Sequence, residues 1–187
     1  MKLTPLSVEG AYVIDTEPIV DERGSFARAF CAHEMAEHGL EPYVAQTNLS
    51  TNARAGTLRG LHYRLSAPEA KTVRCTVGAV YDVLVDLRPE SPTFLQHSGT
   101  ELRAEEHRAV YVPSRCAHAY LTLTDGAEVL YTVSGGYRAG AEWGLRYDDP
   151  RLAVRWPAAV AAVSEKDAGW PLLPAGDLGP WISSGGR

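Results

Sequence analysis

The sequence predicts an all-β fold, an antiparallel sandwich or barrel, and three observations carry that reading. Between residues 44 and 133 apolar and polar side chains alternate with a period of two in many short runs. Glycine and proline, 17 and 12 in number, punctuate the chain too often for long helices. The strand-like runs also follow one another closely instead of alternating with helical segments, which argues against a parallel α/β sheet.

The elements can be justified in order. The opening MKLTPLSVEG has no apolar segment of signal-peptide length, and no later stretch is long and apolar enough to span a bilayer, so a cytosolic protein without a membrane partner is expected. CAHEMAEHGL (31–40) is the best helix candidate, with few β-branched residues and Gly39 to end it. In KTVRCTVGAVYDVLVDLR, Val73, Cys75 and Val77 alternate with Thr72, Arg74 and Thr76; beyond Gly78, Tyr81, Val83, Val85 and Leu87 oppose Asp82, Leu84 and Asp86. PESPTF reads as a turn, and RAVYVP, AHAYLTLTD and AEVLYTVSG as three further strands. After residue 145 the pattern weakens. RYDDPRL is a turn, the alanine-rich AAVAAVSEKDAGW is compatible with a short helix closing against the barrel, and residues from about 180 to 187 form a frayed tail.

The 187 residues suit one domain, with no repeat and no linker to divide it. With a formal charge of −5 and no basic cluster, nucleic acid is not the expected partner, although a local group of arginines would still serve an anionic small molecule. Cys31, Cys75 and Cys116 are far apart and odd in number, which suits buried thiols in a reducing compartment better than a disulfide framework or a zinc knuckle. Lysine occurs only at Lys2, Lys71 and Lys166 among 18 basic residues, so an interior lysine invites a chemical reason.

LRGLHYR (58–64) holds the histidine of greatest interest, His62. Two ligands on one face of a strand must be two residues apart, and metal-binding cupin barrels accordingly use H-x-H with a carboxylate and a third histidine. Here Tyr63 and Arg64 follow His62, and His118 is the one later histidine in strand-like sequence, so no metal is expected. Arg59 and His62, three apart, point to opposite faces of a regular strand unless Gly60 bulges or twists the chain; both would then line one cavity as a cation and a base. On the strand alone, a half-buried structural histidine beside a surface arginine is the plainer account.

Several stretches together resemble one family: DERGSFARAF (21–30), QTNLS (46–50), TLRGLHYR (57–64), AKTVRCTVGAVYDVLVDLRPESPTF (70–94), VPSRCAHAYLTL (112–123), VLYTVSGGYRAGAEWGLRYDDP (129–150), and VRWP with SEKD (154–167). In this order they resemble the dTDP-4-dehydrorhamnose 3,5-epimerases of the cupin superfamily. The resemblance implies a cupin-type jelly-roll β-barrel with a few short peripheral helices, in a single domain over 1–187. It implies a dTDP-linked 4-keto-6-deoxyhexose substrate, proton removal and return at carbons 3 and 5, no cofactor, and a homodimer in which the N-terminal segment crosses over.

Each matched residue receives an expected role from that resemblance. His62 is the general base, Asp167 orients its imidazole, Tyr131 is the acid on the opposite face of the sugar, and Lys71 faces the C4 oxygen as it becomes an enolate. Arg23, Arg59 and Lys166 suit the diphosphate, Gln46 and Asn48 suit polar groups of the sugar or nucleotide, and Phe26 suits stacking on thymine. His118 and Glu142 lie near the sugar and nucleotide, and Tyr137 closes over the ring. Arg23 and Phe26 are expected to serve the partner's site. Three departures are visible. Arg28 stands at a nucleotide-side position where members usually carry glutamate, AHAY replaces A-H-G-F, and glycine precedes Tyr137 in GGY. They leave open a single-site epimerase, at C3 or C5 alone, or a non-catalytic nucleotide-sugar-binding cupin.

Overall fold

A computed structural model of the chain describes residues 1–64, 69–176 and 178–183. Two sheets face each other. The first runs β1 (Lys2–Pro5), β2 (Tyr12–Asp15), β10 (Ala109–Val112), β7 (Lys71–Val77), β12 (Glu128–Val133), β5 (Gln46–Thr51) across its width. The second runs β13 (Glu142–Gly144), β6 (Thr57–Arg64), β11 (Cys116–Thr122), β8 (Ala79–Asp86), β9 (His97–Arg103), with β14 (Ala162–Val163) also on β6. A separate hairpin is formed by β3 (Ile19–Asp21) and β4 (Gly24–Phe26). Among the described residues, all pairings are antiparallel except that of β14 with β6. The all-β expectation is met, including turns at 89–94 and around 146–152.

Alternation along the strands explains the layers. Val73, Cys75, Val110, Val112 and Val129 from the first sheet meet Val80, Leu84 and Cys116 from the second to form the barrel core. On the outer side of the second sheet, Leu61, Tyr63, Val83, Val85, Ala117 and Ala119 pack under Leu145, Leu152, Leu173, Leu178 and Ile182 from the C-terminal segment. Sequence alternation suggests one wet face for β8, yet Asp82, Leu84 and Asp86 are as buried as Val83 and Val85. The C-terminal layer roofs the outer face, so the strand is enclosed on both sides. A helix α1 (Ala32–Glu37) forms where expected, buries Met35 beside Ile14 and Tyr111 on the first sheet, and is followed by Gly39 at φ +70°.

The C-terminal region differs from expectation in two places. The alanine-rich stretch is helical only over α2 (Glu165–Ala168); before it, Ala162 and Val163 pair with Thr57 and Leu58 as β14. The N–H groups of Ala161 and Ala162 both donate to the Gly56 carbonyl, at 2.8 and 3.1 Å. A Cβ on Gly56 would come within 2.8 Å of the Ala161 methyl, so small side chains here serve close strand docking, which outweighs helix propensity in so short a segment. Second, the tail expected from about 180 begins as a helix, α3 (Gly179–Ser183), with Ile182 only 2% exposed in the outer core. Residues 184–187 of that tail lie outside the described residues.

Candidate active site

Between the two sheets, at one end of the barrel, lies a cavity of about 920 Å³. The first sheet turns Gln46, Asn48, Lys71 and Tyr131 into it, and the second sheet contributes Arg59, His62 and His118. Tyr137, Glu142, Lys166 and Asp167 complete the wall from later segments.

The Gly60 question is resolved by the pairing of β6 with β11. His118 stands opposite His62 and Tyr120 opposite Arg59, so two steps along β11 match three along β6. One residue is therefore extra, and Arg59 and His62 fall on the same face. Gly60 sits at φ +122°, and a Cβ there would lie 2.5 Å from the Ala119 methyl and from the His118 carbonyl oxygen, so only glycine fits. Arg59 Nε donates to Asn52 Oδ1 at 2.8 Å; Asn52 in turn donates to the Tyr120 hydroxyl, and Tyr120 to Ser50 Oγ.

His62 Nε2 lies 2.6 Å from Asp167 Oδ1. Burial pushes the Asp167 carboxyl up, but bonds from His62, the Gly60 N–H and the Ser164 region together hold it below the usual carboxylate range. A carboxylate only accepts, so Nε2 carries the donated proton and Nδ1 is the nitrogen left basic. Asp167 is placed by α2, whose N-cap Ser164 accepts the Asp167 N–H at 3.0 Å. Glu142 Oε1 stands 3.7 Å from His62 Nδ1, and Glu142 is also paired with Lys166. Burial works to raise the Glu142 carboxyl, and His62, Lys166 and Lys71 outweigh it, leaving it lowered. Lys166 Nζ rides 5.6 Å from the centre of the Trp170 ring.

Across the cavity, burial pushes the Tyr131 phenol above its ordinary value of 10, so it stays protonated at neutral pH. Lys71 Nζ donates to Glu69 Oε1 at 2.8 Å. An imidazole with one basic nitrogen, a protonated phenol on the opposing sheet and a nearby ammonium make a set able to take a proton from carbon on one side and return one on the other.

Eleven expected site residues thus meet in one cavity: His62, Tyr131, Lys71, Asp167, Gln46, Asn48, Arg59, His118, Tyr137, Glu142 and Lys166. Arg23, Phe26 and Arg28 do not. Arg23 is bonded to Asp21, Phe26 is 74% exposed, and Arg28 is paired with Glu34 on the far side of the first sheet.

Two residues went unread in the sequence. Asp82, fully buried, bonds His118 Nε2 at 2.7 Å, and an acid inside the apolar run VYDVLV was a signal that a partner was needed. Glu69, two residues before Lys71, binds both Lys71 and Arg64. Among the described residues, no three His, Cys, Asp or Glu side chains are grouped as a metal site requires.

Residues 5–175 match the family model of dTDP-4-dehydrorhamnose 3,5-epimerase. A dTDP-4-dehydrorhamnose 3,5-epimerase of Streptomyces griseus is 42% identical over 168 residues, covering 88% of this chain and 83% of that protein. A dTDP-4-dehydrorhamnose 3-epimerase of Streptomyces niveus is 39% identical, over 89% of this chain and 81% of its own length. The crystal structure of dTDP-4-dehydrorhamnose 3,5-epimerase from Elizabethkingia anophelis superposes with a TM-score of 0.89 at 35% identity, over 92% of this chain and 96% of that one.

Proposed function

The chain belongs to the dTDP-4-dehydrorhamnose 3,5-epimerase family, and from that premise we propose that it epimerises a dTDP-linked 4-keto-6-deoxyhexose at carbons 3 and 5, in deoxysugar biosynthesis. It is an isomerase of the cupin jelly-roll type. The observation that carries the proposal is a histidine–carboxylate pair and a protonated phenol facing one cavity from opposing sheets.

The ketone acidifies the C–H bonds at carbons 3 and 5. His62 Nδ1 takes the proton, the C–H bonding pair moves into an enolate, and the charge settles on the C4 oxygen. Asp167 stabilises the imidazolium that forms. Lys71 stabilises the enolate oxygen, a donor interaction of the kind worth about 3 to 4 kcal/mol. Tyr131 gives its proton to the carbon from the other face, which inverts the centre; the imidazolium of His62 then releases its extra proton and the Tyr131 phenolate regains one, both by exchange with solvent. Arg59 and Lys166 take the diphosphate, Gln46, Asn48, His118 and Glu142 the polar groups of the sugar and nucleotide, and Tyr137 covers the ring. The reaction needs no cofactor, since protons are only moved.

Arg23 and Phe26 act in the cavity of a second copy, in a homodimer with N-terminal segment exchange. The exposure of Ile19, Val20 and Phe26 on the hairpin supports an apolar partner surface there. The chain works in the cytosol, which suits the free thiols of Cys31, Cys75 and Cys116.

The test is incubation with dTDP-4-keto-6-deoxyglucose in D2O, following deuterium by NMR. Label at C3 and C5 is expected. A second reading, epimerisation at C3 alone, has the Streptomyces niveus relative in its favour and predicts label at one carbon. Label at neither carbon overturns the catalytic proposal and leaves a nucleotide-sugar-binding protein. Because burial raises the Tyr131 phenol in the free enzyme, the alkaline limb of kcat/KM is expected to be displaced upward from the ordinary phenol value, and Tyr131→Phe removes epimerised product.

A further inference from the structure

Glu69 joins two cations at the edge of the cavity. One carboxylate oxygen accepts from Arg64 Nη1 at 2.5 Å and the other from Lys71 Nζ at 2.8 Å. The three side chains are only 8, 9 and 12% exposed for Arg64, Glu69 and Lys71. Burying such a cluster is costly, and apolar side chains of similar volume generally serve stability as well. Its geometry points elsewhere.

Arg64 Nη1 and Nη2 both donate to the Gly136 carbonyl at 3.1 Å. Gly136 immediately precedes Tyr137, and Arg138, Gly140 and Glu142 on the same segment also face the cavity. Gly135 lies against the ion pair so closely that a Cβ there would be 2.9 Å from Glu69 Oε2 and 3.2 Å from Arg64 Nη1. The start of the segment is tied to the same place: the Ala70 N–H donates to Ser134 Oγ at 2.9 Å, and the Ser134 N–H to the Ala70 carbonyl at 3.0 Å.

We propose that Arg64 and Glu69 are positioning residues that lock the Tyr137 segment and the Lys71 ammonium into one unit. The guanidinium fork fixes the backbone before Tyr137 and also draws the Glu69 charge away from Lys71. The ammonium is thereby held in place without being neutralised, and remains able to bind developing negative charge. Lysine at 64 would keep the charge and lose the two-pronged hold.

The inference rests on the epimerase reading, and its test separates the two. Deuterium exchange and dTDP affinity are measured for the wild type, Arg64→Lys, Arg64→Gln and Arg64→Gln/Glu69→Gln. In Arg64→Lys, kcat is expected to fall about 10- to 100-fold while dTDP affinity stays within about twofold, the signature of misplaced reacting groups. Arg64→Gln leaves Glu69 to neutralise Lys71 and falls at least as far. The double variant removes that carboxylate and recovers part of the loss, and Arg64→Lys carries the test if Arg64→Gln does not fold. Wild-type kcat in Arg64→Lys, equal losses in kcat and dTDP affinity, or a double variant no better than Arg64→Gln each overturn the proposal. Absence of exchange in the wild type overturns the epimerase reading and this inference with it.

Discussion

The two faces of β6 and β11 do opposite work. Outward, Leu61, Tyr63, Ala117 and Ala119 are almost wholly buried in an apolar layer. Inward, Arg59, His62, His118 and Tyr120 meet a cavity and are each held by another polar side chain. Adjacent residues on one strand therefore differ in what they can lose: an outward residue owes its place to packing, an inward one to its partners.

The comparison is most severely tested by neighbouring substitutions. His62→Ala should lower exchange about 10²- to 10⁴-fold, roughly 3 to 5.5 kcal/mol in barrier, with a smaller loss of stability than its neighbour shows. Leu61→Ala should cost about 2 to 5 kcal/mol of folding free energy in denaturant titrations, while the folded fraction keeps its exchange rate. If Leu61→Ala instead abolished exchange at full folding, the division between the faces would fail.

Asp167→Asn sharpens the inward side, with exchange expected to fall about 10²-fold or more because the imidazole tautomer is no longer enforced. The folded-state value of Asp167 is depressed, so its contribution to stability is present above the ordinary carboxylate value of 3.8 and is lost as pH falls through the lower folded value. The stability gap between wild type and Asp167→Asn should thus be full at neutral pH and close below 3.8; a gap that widens in acid contradicts the assignment. The smallest effect is expected for Tyr63→Phe. The Tyr63 hydroxyl is buried with no hydrogen-bond partner among the described residues, and burial pushes its value up to about 12. Its removal should leave stability within about 0.5 kcal/mol of wild type, or slightly higher.

Most of the barrel was legible because one-sided burial writes a period of two into strands such as β7 and β12. β8 was legible as a strand, but its double burial was not, because the layer that covers it comes from residues 145–182. Arg59 and His62 illustrate a conditional reading: the sequence offered Gly60 as a means of bringing them to one face, and only the register with β11 decides it. Asp167 was found through family resemblance; nothing local distinguishes it from a solvated acid at a helix end. Glu69 carried only a weak sign: it lies two residues before Lys71, just outside β7, where the period of two no longer fixes its face. Alanine content misled at 158–163 because local propensity says nothing about a waiting strand edge.

His62 and Asp167 are separated by 105 residues. Translation runs from N- to C-terminus, so the imidazole leaves the ribosome long before the acid that steers it. The nascent chain can lay down β5 to β12 while its histidine is still unaligned, and the pair forms only when the stretch from Ala162 to Asp167 docks along β6.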